Sequence, residues 1–210
     1  SILLLAVGRQ HLLYRGTAKA PTWHAILPAA LVGLALVLFF PGAEYIIGGK
    51  DPGTYINEGI AIAQRGSLVI HDPVVASVPP AARDLFFPSH QNPDYYSSRF
   101  MGFFILDPVK GLVVGQFPHW YPAWVAIGYG LDGLTGALRA IGVWAAIGLL
   151  AVYFVGCRLV GRAPAFAAAG LLGVSLVEIW FARYPNSEIV LQALAFAALL
   201  AFARAHVDDD

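Results

Sequence analysis

A mainly α, polytopic helical membrane protein with a large external loop domain containing interfacial helices is the fold class this sequence predicts, and three observations carry it. Hydrophobic residues make up 58% of the 210 and charged residues only 12%, with a mean hydropathy of +0.66; soluble domains carry about a quarter charged residues. Uncharged apolar runs approaching the ~20 residues that cross a bilayer recur along the chain. Between the first two of them lies a segment, 44–139, that is too polar and too rich in proline and aromatics to be membrane core. With 13 basic and 13 acidic residues the formal net charge is zero, so composition gives no case for a nucleic-acid partner. The single cysteine, Cys157, allows no disulfide within one chain.

Residues 1–25 read as the end of a preceding apolar helix followed by a basic link, and the chain as an N-terminal fragment of a longer protein. Arg9, Arg15 and Lys19 follow the apolar stretch instead of preceding it, which excludes a signal peptide. Residues 26–43 hold no charge, are flanked by Trp23 and Tyr45, and predict a transmembrane helix with Pro28 near its start. Residues 140–210 predict three more: Ala140–Cys157, Ala163–Ala182 and Ile189–Ala203, the last extended by Ser187 and Arg204. The small residues Ala165, Ala168, Ala169, Gly170 and Gly173 suit the middle one to close helix packing. Short loops set the orientation. Arg9, Arg15 and Lys19, with Arg158 and Arg162, belong on the cytoplasmic side, which places 44–139 and the turn Tyr184–Glu188 outside.

Within 44–139, a loop this long is expected to hold structure of its own. Asp51-Pro52 is a helix start and Arg65-Gly66 a stop, so Pro52–Arg65 predicts an amphipathic helix on the membrane surface. Ser67–Ile70 is at most extended. The prolines at 73, 79, 80, 88 and 93 argue for an irregular cover across 72–94. Phe100–Leu106 predicts a short strand, and Gln116–Leu131 an interfacial segment too short to span.

Asp51 is the leading site candidate, and two readings stand side by side. It caps the helix that follows, or its carboxylate accepts a proton as a general base, with Tyr55 one turn on. Glu58 shares that helical face and either binds a sugar hydroxyl or lies in solvent, the ordinary place for an acid. Glu178, an acid inside an apolar run, marks a functional site or pairs locally with Arg183. Glu188 caps the last helix or joins a site. Trp120, Tyr121, Trp124 and Tyr129 suit sugar stacking and an interfacial belt equally. His71, Asp72, His90 and His119 match no short metal motif, and no metal or cofactor is expected.

Three segments carry a family resemblance. Asp51-Pro52-Gly53-Thr54-Tyr55 with Gly59 to Leu68, then Phe117-Pro118-His119-Trp120-Tyr121-Pro122-Ala123-Trp124, then Arg183-Tyr184-Pro185-Asn186-Ser187-Glu188 resemble, in order, external segments of GT-C membrane glycosyltransferases. The nearest group is that of protein O-mannosyltransferases and the lipid A aminoarabinose transferase. The resemblance implies a multi-pass plasma or inner-membrane enzyme. It would move a sugar from a polyprenyl-phosphate carrier to a glycan, lipid or protein acceptor on the external face. Asp51 matches the family's base, and Lys50, His119 and Arg183 are the cations available to a departing lipid phosphate. Tyr55, Glu58, Tyr121 and Glu188 complete the expected substrate-binding set. Pro52 stands where the mannosyltransferases carry a second acid, which leaves sugar and acceptor open. Two other classes remain: a transporter or flippase component with Glu178 and Arg183 on its path, and a non-catalytic membrane scaffold. Internal repeats and broken helices, common in transporters, are not evident in the sequence, and the fragment alone is expected to be inactive.

Overall fold

The computed structural model describes residues 25–43, 51–87, 97–100 and 102–207. Its elements in chain order are α1 (Ile26–Phe39), α2 (Asp51–Arg65), β1 (Val69–His71), α3 (Pro73–Ser77), a 3-10 turn (Pro80–Ala82), α4 (Arg83–Phe86), β2 (Ser97–Phe100), β3 (Phe103–Asp107), β4 (Leu112–Gly115), α5 (Trp120–Val160), α6 (Arg162–Gly173), α7 (Leu176–Arg183) and α8 (Ser187–Val207). The chain is thus mainly helical and divides into two compact units. The described residues at 43–140 and 184–186 form a loop unit; those at 25–42, 141–183 and 187–207 form a helical unit.

By length and composition, α5 and α8 are long and apolar enough to cross a membrane. Leu31, Ala35 and Phe39 are buried at a spacing of four, one stripe of α1, and α1 packs on α6 and α7. Glycines on α5 set the helix spacing. A Cβ on Gly142 would stand 3.2 Å from the Phe39 carbonyl of α1, one on Gly148 3.5 Å from Ala193 of α8, and one on Gly156 3.0 Å from Ala165 of α6. Small residues let apolar helices gain dispersion contact where lipid offers no hydrophobic drive.

Two expectations are corrected here. The run 26–43 forms only 14 helical residues, because Pro41 has no N–H to continue the ladder and its ring crowds the preceding turn. The run 163–182 is two helices bent by 64° rather than one. The α6 ladder closes with Val174 N–H on the Gly170 carbonyl (3.0 Å), and the Ser175 hydroxyl accepts from Glu178 N–H (3.2 Å), starting α7.

The loop unit holds a four-stranded antiparallel sheet in the order β1-β4-β3-β2, with Ile70 opposite Val113 and Ile105 opposite Val113 from the other side. Val75, Phe87, Ile105 and Val113 form its apolar core, with Ile70, Val78 and Phe103 packed against it. The β3–β4 turn is built by Asp107, whose Oδ1 accepts from Val109 N–H (2.9 Å) and Lys110 N–H (3.0 Å), and by Gly111 at φ 65°. Only glycine serves there: besides the positive φ, a Cβ would strike the Asp72 carbonyl. The predicted irregular cover is instead a series of short helices up to Phe87. Asp72 Oδ1 caps Val74 and Val75 N–H (2.9 and 3.2 Å), and Pro73 and Pro80 each occupy a first-turn position, where the missing donor costs nothing. Residues 88–96 lie outside the described residues.

The 41 residues of α5 are a helical hairpin. Asp132 (φ −145°, ψ 33°) and Gly133 (φ 54°, ψ −142°) are non-helical. About them, Gly128 meets Gly136 backbone to backbone, and Trp124 Nε1 donates to the Ala140 carbonyl (2.9 Å). Pairs symmetric about residue 132 mean antiparallel arms. The first arm, 120–131, is about 18 Å long and too short to span; the second, 134–160, is about 40 Å and long enough. Of the expected segments, Gln116–Leu131 contains the first arm and Ala140–Cys157 lies within the second.

Candidate functional site

The site lies in the loop unit, where α2, β4 and the first arm of α5 meet. Pro52, Gly53, Thr54, Tyr55, Ile56, Glu58 and Gly59 are all buried. The N-terminal half of α2 is therefore largely enclosed, with only Asp51 and Asn57 half-buried there. The close approach needs Gly59: a Cβ there would lie 2.6 Å from Val125 Cγ1 and 2.8 Å from the Pro122 carbonyl of α5. Tyr55 packs its ring against Phe117 and Tyr121, both centroids at 5.0 Å, the latter edge-on at 67°.

Glu58 is the centre of this arrangement. It is 0% exposed, and its Oε1 pairs with Nδ1 of His119, whose side chain remains 35% exposed. Oε2 is buried with no hydrogen-bond partner among the described residues. A Cβ on Gly115 would overlap both carboxylate oxygens, so the absence of a side chain on β4 is what makes space for the acid. Burial pushes the Glu58 carboxyl above its ordinary value, and the hydrogen bond and charge of His119 offset part of that. The expectation of a solvated Glu58 is thus overturned: β4 and α5 cover the face of α2 that sequence alone leaves open.

Tyr55, Glu58, His119 and Tyr121 come together as one cluster. The Tyr121 hydroxyl is buried and lacks a partner among the described residues. Asp51 opens α2, half-buried, two turns or about 10.5 Å of helix rise before Glu58 on the same face. Arg183 and Glu188 belong to the helical unit. Arg183 Nε donates to the Leu38 carbonyl (2.7 Å) near the end of α1, and Glu188 is exposed in the first turn of α8, the favourable place for an acid. Glu178 pairs with Gln192 Nε2 (2.8 Å) rather than with Arg183. Of the aromatics, Trp124 is engaged with Ala140, Tyr129 accepts from Gln64 Nε2 (2.9 Å), and Trp120 is half exposed. Lys50 and His90 lie outside the described residues. No group of three or more potential metal ligands occurs among the described residues.

Gly115 and Gln192 are participants that sequence reasoning missed. Gly115 ends an apolar strand with no local mark of its role. A signal did exist for the α7 start: Ser175-Leu176-Val177-Glu178 has the spacing of a capping box. In comparisons with family models, curated proteins and solved structures, the chain matches none.

Proposed function

We propose that the chain is the active-site portion of a GT-C-type membrane glycosyltransferase that takes a sugar from a polyprenyl-phosphate carrier and passes it to an acceptor at the membrane surface. One observation carries this reading. Two segments of the resemblance, some sixty residues apart, pack into one cluster: Tyr55 against Phe117 and Tyr121, and Glu58 against His119. Asp51 would take the proton of the acceptor hydroxyl as that oxygen bonds to the sugar. The bond from sugar to phosphate oxygen breaks with its electrons left on the phosphate. The loop unit would face outside, by the basic residues of the short loops, in a multi-pass plasma or inner-membrane protein. The test uses membranes carrying the protein, wild type against Asp51→Asn, with labelled polyprenyl-phosphate sugars. Transfer is expected to fall at least a hundredfold at equal expression; equal transfer by both returns Asp51 to a helix start.

A second reading, a transporter component, is favoured by the 64° break between α6 and α7 with Glu178 buried beside it. Under it, Glu178→Gln would abolish substrate flux into vesicles; under the transferase reading, sugar transfer survives that substitution.

A further inference from the structure

A buried glutamate with a half-exposed histidine admits two opposite chemistries, and burial decides between them. If the pair holds one proton, it is Glu58 carboxylate with neutral His119. Nδ1–H then points at Oε1, and Nε2 is a bare lone pair, the arrangement of a general base. If the pair holds two protons it is net neutral, either as carboxylate with imidazolium or as carboxylic acid with neutral imidazole. In both of those forms Nε2 carries hydrogen. The first form leaves a net negative charge on a fully buried acid whose Oε2 has no partner among the described residues, which desolvation penalises heavily. The second does not. Nε2 itself has no hydrogen bond among the described residues.

The surroundings favour an anion beside the ring, although a helix N-terminus by itself also favours the less protonated imidazole. His119 immediately precedes α5, whose first arm runs twelve residues before the break at Asp132, so the positive end of that helix adjoins the ring. The titratable groups that the adjoining elements contribute besides Glu58 are Asp51, Tyr55 and, at its far end, Arg65 from α2, and Tyr121 and Tyr129 from the first arm of α5, while β4 brings only Leu112, Val113, Val114 and Gly115. Arg65 stands seven residues, about 10.5 Å of helix rise, beyond Glu58 and donates to the His71 carbonyl (3.1 Å).

We infer that Glu58 and His119 act as one net-neutral buried pair that presents His119 Nε2–H as a hydrogen-bond donor to a phosphate oxygen, with Glu58 as the positioning residue. Naming that phosphate as the one on a lipid carrier rests on the proposed function; the donor state of the pair does not. The site gives no role to His119 as a base and leaves proton removal to Asp51.

The experiment uses the full chain in lipid nanodiscs with 15N-labelled histidine, His119→Gln serving to assign the His119 signals. Imidazole nitrogen resonances are followed from pH 5 to 8, without ligand and with inorganic phosphate or a long-chain polyprenyl monophosphate. Expected is a proton on Nε2 at pH 7, shifted by the phosphate compounds, and binding weakened about tenfold by His119→Gln, whose amide can still donate to Glu58 Oε1. Glu58→Gln is expected to populate both neutral tautomers, an effect that a merely structural role would not produce. A bare Nε2 at pH 7 overturns the inference, as does binding indifferent to His119, or a Glu58→Gln spectrum like wild type. Tighter binding of the polyprenyl ester than of inorganic phosphate supports the inference with a lipid ligand, and equal binding supports it with free phosphate. Phosphate binding through His119 without any sugar transfer sinks the transferase reading alone, and Asp51-dependent transfer with phosphate binding indifferent to His119 sinks this inference alone.

Discussion

Among the described residues each unit buries one acid, and the two acids are held in opposite ways. In the helical unit Glu178 meets a neutral amide, Gln192, and its backbone N–H is taken by Ser175. In the loop unit Glu58 meets a titratable ring, its second oxygen has no partner among the described residues, and the ring is one-third open. An amide partner cannot give up or accept a proton at ordinary pH, so it fixes geometry and nothing more. A histidine partner lets the pair change its proton count and pass that change to whatever touches the ring. The difference teaches that burial of an acid is not in itself a functional mark; the chemistry of the partner is.

Substitutions that break this contrast can be ranked by size. The largest effect is expected at Gly115. A methyl there overlaps the Glu58 carboxylate, and Gly115→Ala is expected to destabilise the loop unit by about 2–4 kcal/mol. Unfolding in denaturant followed by Trp fluorescence measures this, and Glu58→Ser on the same background is expected to recover more than half of it, the non-additivity of a contacting pair. Next is Glu178→Leu, which leaves the Gln192 amide without its acceptor and is expected to cost about 1–3 kcal/mol while leaving phosphate binding unchanged. Arg183→Leu removes the donor to the Leu38 carbonyl and is expected to cost about 1 kcal/mol, read as a lower melting temperature.

The pH responses are smaller and differ in sign. The Glu58 carboxyl is raised above 4.5, so the folded state holds that proton more tightly than the unfolded chain. Its contribution is complete below pH 4.5 and is lost as pH rises through the raised value; Glu58→Gln is expected to flatten that slope in melts recorded from pH 4 to 8. Asp107 is exposed to the opposite trend, lowered below 3.8 chiefly by the Lys110 N–H and further by that of Val109. Its contribution is complete above pH 3.8 and fades as pH falls through the lowered value, and Asp107→Asn is expected to remove that acid-side loss. A Glu58 slope of the Asp107 sign in the same melts would mean that the pair is charged and solvated, and would erase the contrast between the two acids.

Much of the helical architecture was legible because it is local. Ser187 to Val207 follows from composition, and Asp51 to Arg65 from an acid-proline start and an Arg-Gly stop. What was not legible depends on partners distant in sequence. β4 is four residues whose identity as a strand comes from pairing with β1 and β3, and no window of Leu112–Gly115 carries that information. The α5 hairpin reads as two segments, yet its reversal at Asp132–Gly133 rests on Gly128 and Gly136 touching, a contact that spacing alone does not announce. Pro41 and the Ser175 cap were readable and outweighed by hydropathy, which sees apolar length but not where the ladder must stop. In the site, Tyr55, His119 and Tyr121, named from the sequence as substrate-binding residues, lie in one cluster, whereas for Glu58 the sequence left sugar binding and solvent open because its cover comes from a strand nearly sixty residues later.

The vacancy at Gly115 also constrains how this sequence can drift. Because any side chain on β4 at that position would occupy the volume of the Glu58 carboxylate, positions 58 and 115 are coupled like two ends of a seesaw. A lineage that lost the acid would be free to fill position 115 with alanine or valine, and one that filled it first would be driven to shorten position 58. Among relatives of this chain, glycine at 115 should therefore travel with glutamate at 58 as a single inherited unit, and its disappearance should date the loss of the histidine's partner.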